Sequence, residues 1–337
     1  MLEYIEHLSN ICSPSGDEGK VRSYIASVVR PYVDDLYTDT IGNLYAVKHG
    51  GKRRILLDAH MDEVGVIITD YRADGTLDYT AHLSIDPRLA LGKTLAVGPH
   101  EIPGVFRRKH EYRKPAADEY LGHDKLCIDV GSSSREETEK AVSLGDYACF
   151  PTKWRRMSKS MMAGKALDDR IGCAIIMELL KNDYPCDLYA VFSVQEETGV
   201  RGATTAVMNV QPDAALVFEA PAANDVGLSS TGVQVVCALG KGPVVTYMDN
   251  FTIVNEKLFS LILRTAEENG IPYQLRNGVR GGTNAYPIQT AFAGCEVGIL
   301  SVPSRYIHSP RAFEVIDDSI NTYKLADALL RKAMCDE

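Results

Sequence analysis

From Gly164 onward the sequence alternates between short apolar runs and amphipathic segments with helical spacing, and this alternation constrains the fold most strongly. It predicts strands and helices in turn, at 169–181 (helix), 187–194 (strand), 199–208 (helix), 213–218 (strand), 255–269 (helix), 297–302 (strand) and 317–334 (helix). Such alternation indicates a three-layer α/β/α sandwich with a mixed, largely parallel sheet. In sheets of this kind, functional residues collect at the carboxyl ends of the strands.

The helical periodicity nearly disappears between residues 67 and 163. Short β-prone runs alternate there with Gly and Pro, and one helix is predicted at 135–144, after three serines that can cap it. We therefore predict a small inserted β-barrel-like (PDZ-like) domain at 67–163. Residues 1–66 and 164–337 would form one larger, discontinuous domain.

The first 60 residues predict the start of the larger domain. Residues 1–30 have helical spacing that is interrupted by a loop at 13–16, and residues 39–43 read as a turn between two β-rich runs. The apolar run 54–60 is typical of a buried central strand.

Charge and composition exclude several classes of protein. The formal net charge is −9, which argues against binding to nucleic acid or to an anionic membrane. The N-terminus lacks the apolar region of a secretory signal, and no uninterrupted apolar run is long enough for a membrane span. The eight cysteines are scattered without metal-site spacing, so we expect mostly buried free thiols and a cytoplasmic protein.

Acidic and histidine residues stand at the predicted strand ends. His60 and Asp62 follow the first strand, Glu196 and Glu197 the second, and Glu219 the third. Asp168 precedes the helix at 169–181, and His308 lies in a later loop. A His/Asp/Glu set without cysteine suits divalent ions such as Zn, Co or Mn.

Each of these residues also has a purely structural interpretation. His60 alone is more often a core histidine than a ligand, and Asp168 alone could cap the helix that follows it. However, His60 and Asp62 are two residues apart in extended chain, so their side chains point the same way and the carboxylate can orient the imidazole. Glu196 and Glu197 can reach one site only if the backbone turns, and Thr198-Gly199 allows such a turn.

Five motifs occur in an order that closely resembles the tetrahedral, or glutamyl-type, aminopeptidases, a family of co-catalytic di-metal metallo-exopeptidases. The motifs are HMDEVG (60–65), GKALDDRIG (164–172), QEETGVRGA (195–203), LVFEAPAAND (216–225) and RYIHSP (305–310). The resemblance covers nearly the whole chain and includes residues 39–43, 128–133 and 281–283.

The resemblance implies a role for each candidate residue. Asp168 would bridge two divalent metal ions, with Zn favoured over Co or Mn; His60 and Glu219 would complete one site, and Glu197 and His308 the other. Glu196 would be the general base for a metal-bound water, and Asp62 would orient His60. Gly282, Thr283 and Asn284 would contact the substrate. The chain departs from many relatives at Glu219 and Asn284, where they carry Asp.

The resemblance also implies a substrate class and an assembly. The enzyme would remove N-terminal residues from short peptides, because the free amine would be read at the metals. The inserted domain at 67–163 would act in dimerisation or as a lid, and dimers would combine into a hollow homo-oligomeric dodecamer.

Three other interpretations compete with the aminopeptidase prediction. A related di-metal carboxypeptidase or deacylase would share most of this ligand set. A glycoside hydrolase could use two of the carboxylates without any metal. A non-catalytic metal-binding or scaffold protein would not need Glu196 as a general base.

Overall fold

The computed structural model of the protein describes residues 1–81, 85–109, 120–226 and 234–334, apart from the side chains of residues 332 and 333. Parts of the predicted insert (82–84 and 110–119) and Cys335 therefore lie outside the described residues. Within the described part of the chain, no helix has the length and apolar character that crossing a membrane requires.

Helices occur at both ends of the chain and between the strands of its second half. They are α1 (Leu2–Asn10), α2 (Gly19–Val29), α3 (Pro87–Ala90), α4 (Arg135–Thr138), α5 (Leu167–Leu179), α6 (Arg201–Val210), α7 (Glu256–Glu268), α8 (Ala285–Thr290) and α9 (Ile316–Ala328).

The strands form a large mixed sheet, a closed barrel and a small sheet. They are β1 (Asp35–Thr38), β2 (Leu44–Lys48), β3 (Arg54–His60), β4 (Val66–Tyr71), β5 (Leu77–Ala81), β6 (Thr94–Val97), β7 (Ile102–Arg108), β8 (Leu126–Asp129), β9 (Tyr147–Cys149), β10 (Arg155–Arg156), β11 (Met161–Gly164), β12 (Asp187–Ser193), β13 (Ala214–Glu219), β14 (Val244–Thr246), β15 (Gln274–Leu275), β16 (Glu296–Ser301) and β17 (Ala312–Val315).

The large sheet has eight strands in the order β1-β2-β12-β3-β13-β16-β14-β15. Its four central strands, β12, β3, β13 and β16, are parallel. Strands β1 and β2 pair antiparallel with their neighbours, and β14 pairs antiparallel with β16 but parallel with β15. The parallel centre brings the carboxyl ends of β3, β12 and β13 to one edge. The acidic and histidine residues that were predicted at the strand ends lie at this edge.

Helices cover both faces of the large sheet. On one face, α5 packs on β3 and β13, flanked by α1 and α9, around a core that contains Leu57, Ile175 and Leu216. On the other face, α6 and α8 enclose a smaller core that contains Val191 and Ile299. The prediction of an α/β/α sandwich with a mixed sheet is confirmed.

The barrel closes through six strands in the order β4-β5-β8-β7-β6-β9, and it has its own apolar core around Phe106. This confirms the predicted small β-barrel-like unit within the chain. Its strands end at Cys149. The next two strands, β10 and β11, instead join β17 in a three-stranded sheet, in which residues 161–164 pair with residues 312–315.

One local expectation is wrong. The helix predicted at 135–144 ends at Thr138, because Gly145 and the turns before it leave only one helical turn after the Ser134 cap. Cys12 and Cys149 form a disulfide, whereas the expectation was of mostly buried free thiols. They are 137 residues apart in the sequence, so no local spacing could indicate the pair. Cys127, Cys173 and Cys237 are free and buried, as expected.

Candidate metal centre

Asp62 lies at the centre of the hydrogen bonds that build the site. The side chain is completely buried, and it lies beside His60, whose Nδ1 is 3.4 Å from Asp62 Oδ1 and 3.2 Å from the Asp62 backbone oxygen. The carboxylate accepts hydrogen bonds from Ser15 Oγ (2.6 Å) and from the backbone N–H groups of Glu196 (3.1 Å) and Glu197 (3.2 Å). Burial acts to raise the pKa of Asp62, but His60 and these donors outweigh it and lower the pKa. Asp62 thus holds the imidazole and the two glutamates in one place.

A backbone turn after β12 presents Glu196 and Glu197 to the same edge. Gln195 has a left-handed φ of 55°, and the N–H of Gly199 donates to the backbone oxygen of Glu196 at 2.9 Å. Gly199 itself has a φ of +114°, which a residue with a side chain rarely adopts. The turn therefore lets two adjacent side chains approach one site, which a continuing strand would not allow.

Asp168 stands between the two candidate histidines. It lies at the start of α5 with non-helical backbone angles, so its carboxylate projects toward the sheet edge rather than continuing the helix. Asp168 Oδ1 is 3.4 Å from His60 Nε2, and Asp168 Oδ2 is 3.3 Å from His308 Nε2. Burial acts to raise the pKa of Asp168, but the two histidines outweigh it and hold the pKa well below its usual range.

The five candidate ligands form two groups that share Asp168. In the first group, one ligand atom from each of His60, Asp168 and Glu219 lies within 4.8 Å of the others. The second group joins Asp168 to Glu197 and His308 within the same limit, and His308 Nε2 is 3.3 Å from Glu197 Oε1. Each group has the size and donor chemistry of a divalent metal site.

The electrostatics of the site favour cations. Burial and repulsion from Glu196 raise the pKa of Glu219 well above its usual value. Burial acts to lower the pKa of His308, but Asp168 and Glu197 outweigh it and raise the pKa to about 10. A raised pKa of a buried carboxyl group, together with a raised pKa of a buried histidine, indicates an excess of negative charge in the site.

The orphaned oxygens of the site fit metal ions. Asp168 Oδ1 and Glu219 Oε1 are buried and have no hydrogen-bond partner within the described ranges. A buried carboxylate oxygen without a donor is costly, and a coordinated cation removes that cost. The residues present therefore fit a pair of divalent ions, with Asp168 common to both.

The predicted substrate-binding residues divide between two environments. Gly282 and Thr283 line a cavity beside Glu197 and His308. Asn284 is not among the residues lining that cavity. Its amide donates instead to Asp58 Oδ1 (2.7 Å) and Ser193 Oγ (2.9 Å), so its side chain has partners inside the fold.

Two features of the site escaped the sequence interpretation. Asp58, which is completely buried on β3, could have been noticed because it precedes His60 and Asp62 at the same two-residue spacing. Glu63, Lys165 and Arg170 form a buried charged cluster next to the metal ligands. Only the motifs that contain these residues hinted at their contact, since Glu63 is 102 residues from Lys165 in the sequence.

The chain is similar to known aminopeptidases along most of its length. A family model described as M42 glutamyl aminopeptidase matches residues 42–325. The lysyl aminopeptidase of Pyrococcus furiosus is 30% identical over 326 residues, which cover 93% of this chain and 91% of that protein. The glutamyl aminopeptidase of Lactococcus lactis subsp. cremoris is 26% identical over 345 residues, which cover 98% of this chain and 96% of that protein.

Solved structures agree with these matches. The TET aminopeptidase of a marine sediment Thaumarchaeota archaeon superposes with a TM-score of 0.94 at 30% identity, covering 98% of this chain and 97% of that one. The Pyrococcus horikoshii TET1 peptidase, described as able to assemble into a tetrahedron or a large octahedral shell, gives a TM-score of 0.87 at 29% identity, covering 98% and 99%.

Proposed function

The chain belongs to the M42 glutamyl aminopeptidase family and is a metallo-aminopeptidase, and we propose that it removes N-terminal residues from short peptides with two divalent metal ions. One observation carries the proposal: two ligand groups share the partly buried Asp168, and Glu197 and His308 of the second group line an open cavity. The family is metal-dependent, and we propose both the number and the identity of the ions.

The proposed ligands are those that converge at the sheet edge. Asp168 would be common to both ions, His60 and Glu219 would complete one site, and Glu197 and His308 the other. Because all donors are imidazole nitrogens or carboxylate oxygens, Zn fits best, with Co or Mn as alternatives.

Glu196 is the proposed general base. Two bound divalent ions supply Lewis-acid chemistry, which lowers the pKa of water and polarises a carbonyl group. Burial raises the pKa of Glu196 to about 8, with His60 opposing the shift and Glu197 adding to it. A carboxyl group that titrates near neutral pH can take a proton and pass it to the leaving amine. Asp62 is a positioning residue, because it fixes both the His60 ring and the Glu196 backbone.

Residues 1–66 and 164–337 would form the catalytic domain, since they contain all the proposed ligands and the base. Residues 67–163 would act in dimerisation or as a lid. In support, the described part of this segment contacts the site region: Cys149 is bonded to Cys12, and Phe150 lines a small cavity with Asp168 and His308. We propose a homo-oligomer, at least a dimer and up to a dodecamer, which would admit only short peptides.

Metal removal and end-blocking test the proposed function. Dialysis against EDTA should abolish hydrolysis of aminoacyl anilides, and added Zn, Co or Mn should restore it. With the reloaded enzyme, N-acetylated peptides should be inert and C-terminally amidated peptides should be cleaved. The reverse pattern would indicate a carboxypeptidase or deacylase, and full activity of the verified metal-free protein would refute the metal mechanism.

A further inference from the structure

A cavity of about 470 Å³ opens directly beside the proposed metal ligands. Glu197 and His308 line one side of it, and Glu196 lies at the same side. Its volume falls in the range of sites that hold small ligands. A group bound in this cavity is therefore within reach of the proposed base.

The lining also has an apolar wall that is open to solvent. It includes Phe251, with 61% of its surface exposed, Tyr286, with 42% exposed, and the partly buried Val200. The rings of Phe251 and Tyr286 are 5.5 Å apart between centroids. Exposed aromatic side chains that converge on one cavity offer an apolar ligand a surface that water otherwise covers.

The backbone holds Phe251 in this wall. Asp249 Oδ1 accepts hydrogen bonds from the N–H groups of Phe251 (2.8 Å) and Thr252 (2.7 Å), and Asp249 Oδ2 accepts one from Thr283 Oγ1 at 3.3 Å. A Cβ atom added at Gly282 would come within 2.4 Å of the Phe251 ring. Glycine at 282 thus lets the Phe251 ring pack closely against the neighbouring loop.

The charge of the lining argues against a charged occupant. No lysine or arginine lies among the described residues that line the cavity, and its only acids are Glu196 and Glu197 at the metal side. A glutamate side chain would be repelled by these two acids without gaining a cation, and a lysine that reached the wall at Val200 and Phe251 would lose part of its hydration without an acid beside it there. An apolar side chain pays no such cost.

We infer that this cavity receives the side chain of the N-terminal residue of the peptide and selects large apolar side chains, such as those of Leu, Met and Phe, over charged ones. The inference rests on the proposed function. The residue whose carbonyl group reacts near Glu196 is the N-terminal one, and its side chain begins one bond from that carbonyl. Glu196 lines the cavity, so this side chain enters it.

A panel of single-residue substrates tests the selectivity. The metal-loaded enzyme is assayed with leucyl, phenylalanyl, alanyl, glutamyl and lysyl p-nitroanilides. We expect kcat/KM for the leucyl and phenylalanyl compounds to exceed the other three by at least about tenfold, the smallest effect expected for a methylene group in an apolar pocket. A glutamyl or lysyl compound that is cleaved best would overturn the inference and leave the aminopeptidase function standing. Loss of activity toward the whole panel, with metal bound, would refute the proposed function itself.

Variants of the wall identify its residues. Phe251→Ala should lower kcat/KM for the leucyl and phenylalanyl compounds by about tenfold or more and leave the alanyl compound nearly unchanged. Phe292→Ala is the matched control, because Phe292 is also 58% exposed but does not line the cavity. Val200→Lys should raise the glutamyl rate relative to the leucyl rate. Equal effects of Phe251→Ala and Phe292→Ala on the leucyl-to-alanyl ratio would contradict the assignment.

A binding measurement separates recognition from turnover. The metal-loaded Glu196→Gln variant is titrated with Leu-Gly-Gly, Glu-Gly-Gly and Gly-Leu-Gly by calorimetry. We expect Leu-Gly-Gly to bind at least about tenfold more tightly than the other two, because only its first side chain is apolar and large. Tightest binding of Gly-Leu-Gly would assign the cavity to the second residue and overturn the inference.

Discussion

The substitution Glu63→Gln tests how the charged cluster beside the metal centre is stabilised. Glu63 and Lys165 are each only 2% exposed, and Arg170 is completely buried. Both cations face the same Glu63 oxygen. They are otherwise held by backbone carbonyls: Lys165 Nζ donates to Ile11 at 2.6 Å, and Arg170 Nη1 donates to Leu8 at 2.7 Å.

The variant removes the only anion of this cluster and keeps its shape. A glutamine oxygen can still accept the hydrogen bond that Ser13 N–H donates to Glu63 at 2.9 Å. Two buried cations would then face each other without a counter-charge. Breaking a buried ion pair by removing one partner costs about 3–5 kcal/mol. With an unfolding entropy of about 2.1 cal/mol/K per residue over 337 residues, this corresponds to a melting temperature lower by about 4–7 °C.

The assay is thermal unfolding of the metal-free protein, followed by circular dichroism at one scan rate. The control is Glu139→Gln, which breaks the ion pair between Glu139 and Arg135 (2.6 Å). The Glu139 side chain is 40% exposed and that of Arg135 is 48% exposed. The control should melt within about 1 °C of the wild type, since exposed pairs contribute little. Equal shifts in both variants, or a shift below about 1 °C in Glu63→Gln, would refute the electrostatic reasoning.

Three further predictions concern pH, catalysis and assembly. Burial lowers the pKa of Lys165 from 10.5 to about 8 in the folded protein. Between these two pH values, Lys165 is protonated in the unfolded chain but not in the folded protein, so the free energy of unfolding rises with pH. The wild type should therefore gain urea stability relative to Lys165→Met from pH 8 to 10, and a constant difference would contradict this. Glu196→Gln should lower kcat by about 10²–10⁴-fold and retain its metal by elemental analysis, whereas Glu197→Gln should lose metal; the opposite pattern would exchange the two roles. Light scattering should give a homo-oligomer, and an active species at the 37.0 kDa monomer mass would refute assembly.

The sequence alone determined the elements of the larger domain and the types of residue at its strand ends. Periodicity predicted the helix at 255–269 and the strand at 187–194 to within one residue at each boundary, because apolar spacing is a local property of the chain. The two-residue spacing of His60 and Asp62 predicted that both would face one side, and they lie 3.4 Å apart. The turn at Thr198-Gly199 predicted that Glu196 and Glu197 could share a site for the same local reason.

Only the tertiary structure decided which distant residues meet. Asp168, at the start of α5, contacts His60 at the end of β3 and His308 in the loop between β16 and β17. These contacts depend on the packing of α5 against β3 and β13, which is decided by the whole core. The same long-range packing turned Asn284 toward Asp58 and brought Phe251 to the cavity wall. None of these contacts leaves a trace in local sequence, because each joins segments dozens to hundreds of residues apart whose meeting depends on how the complete core packs.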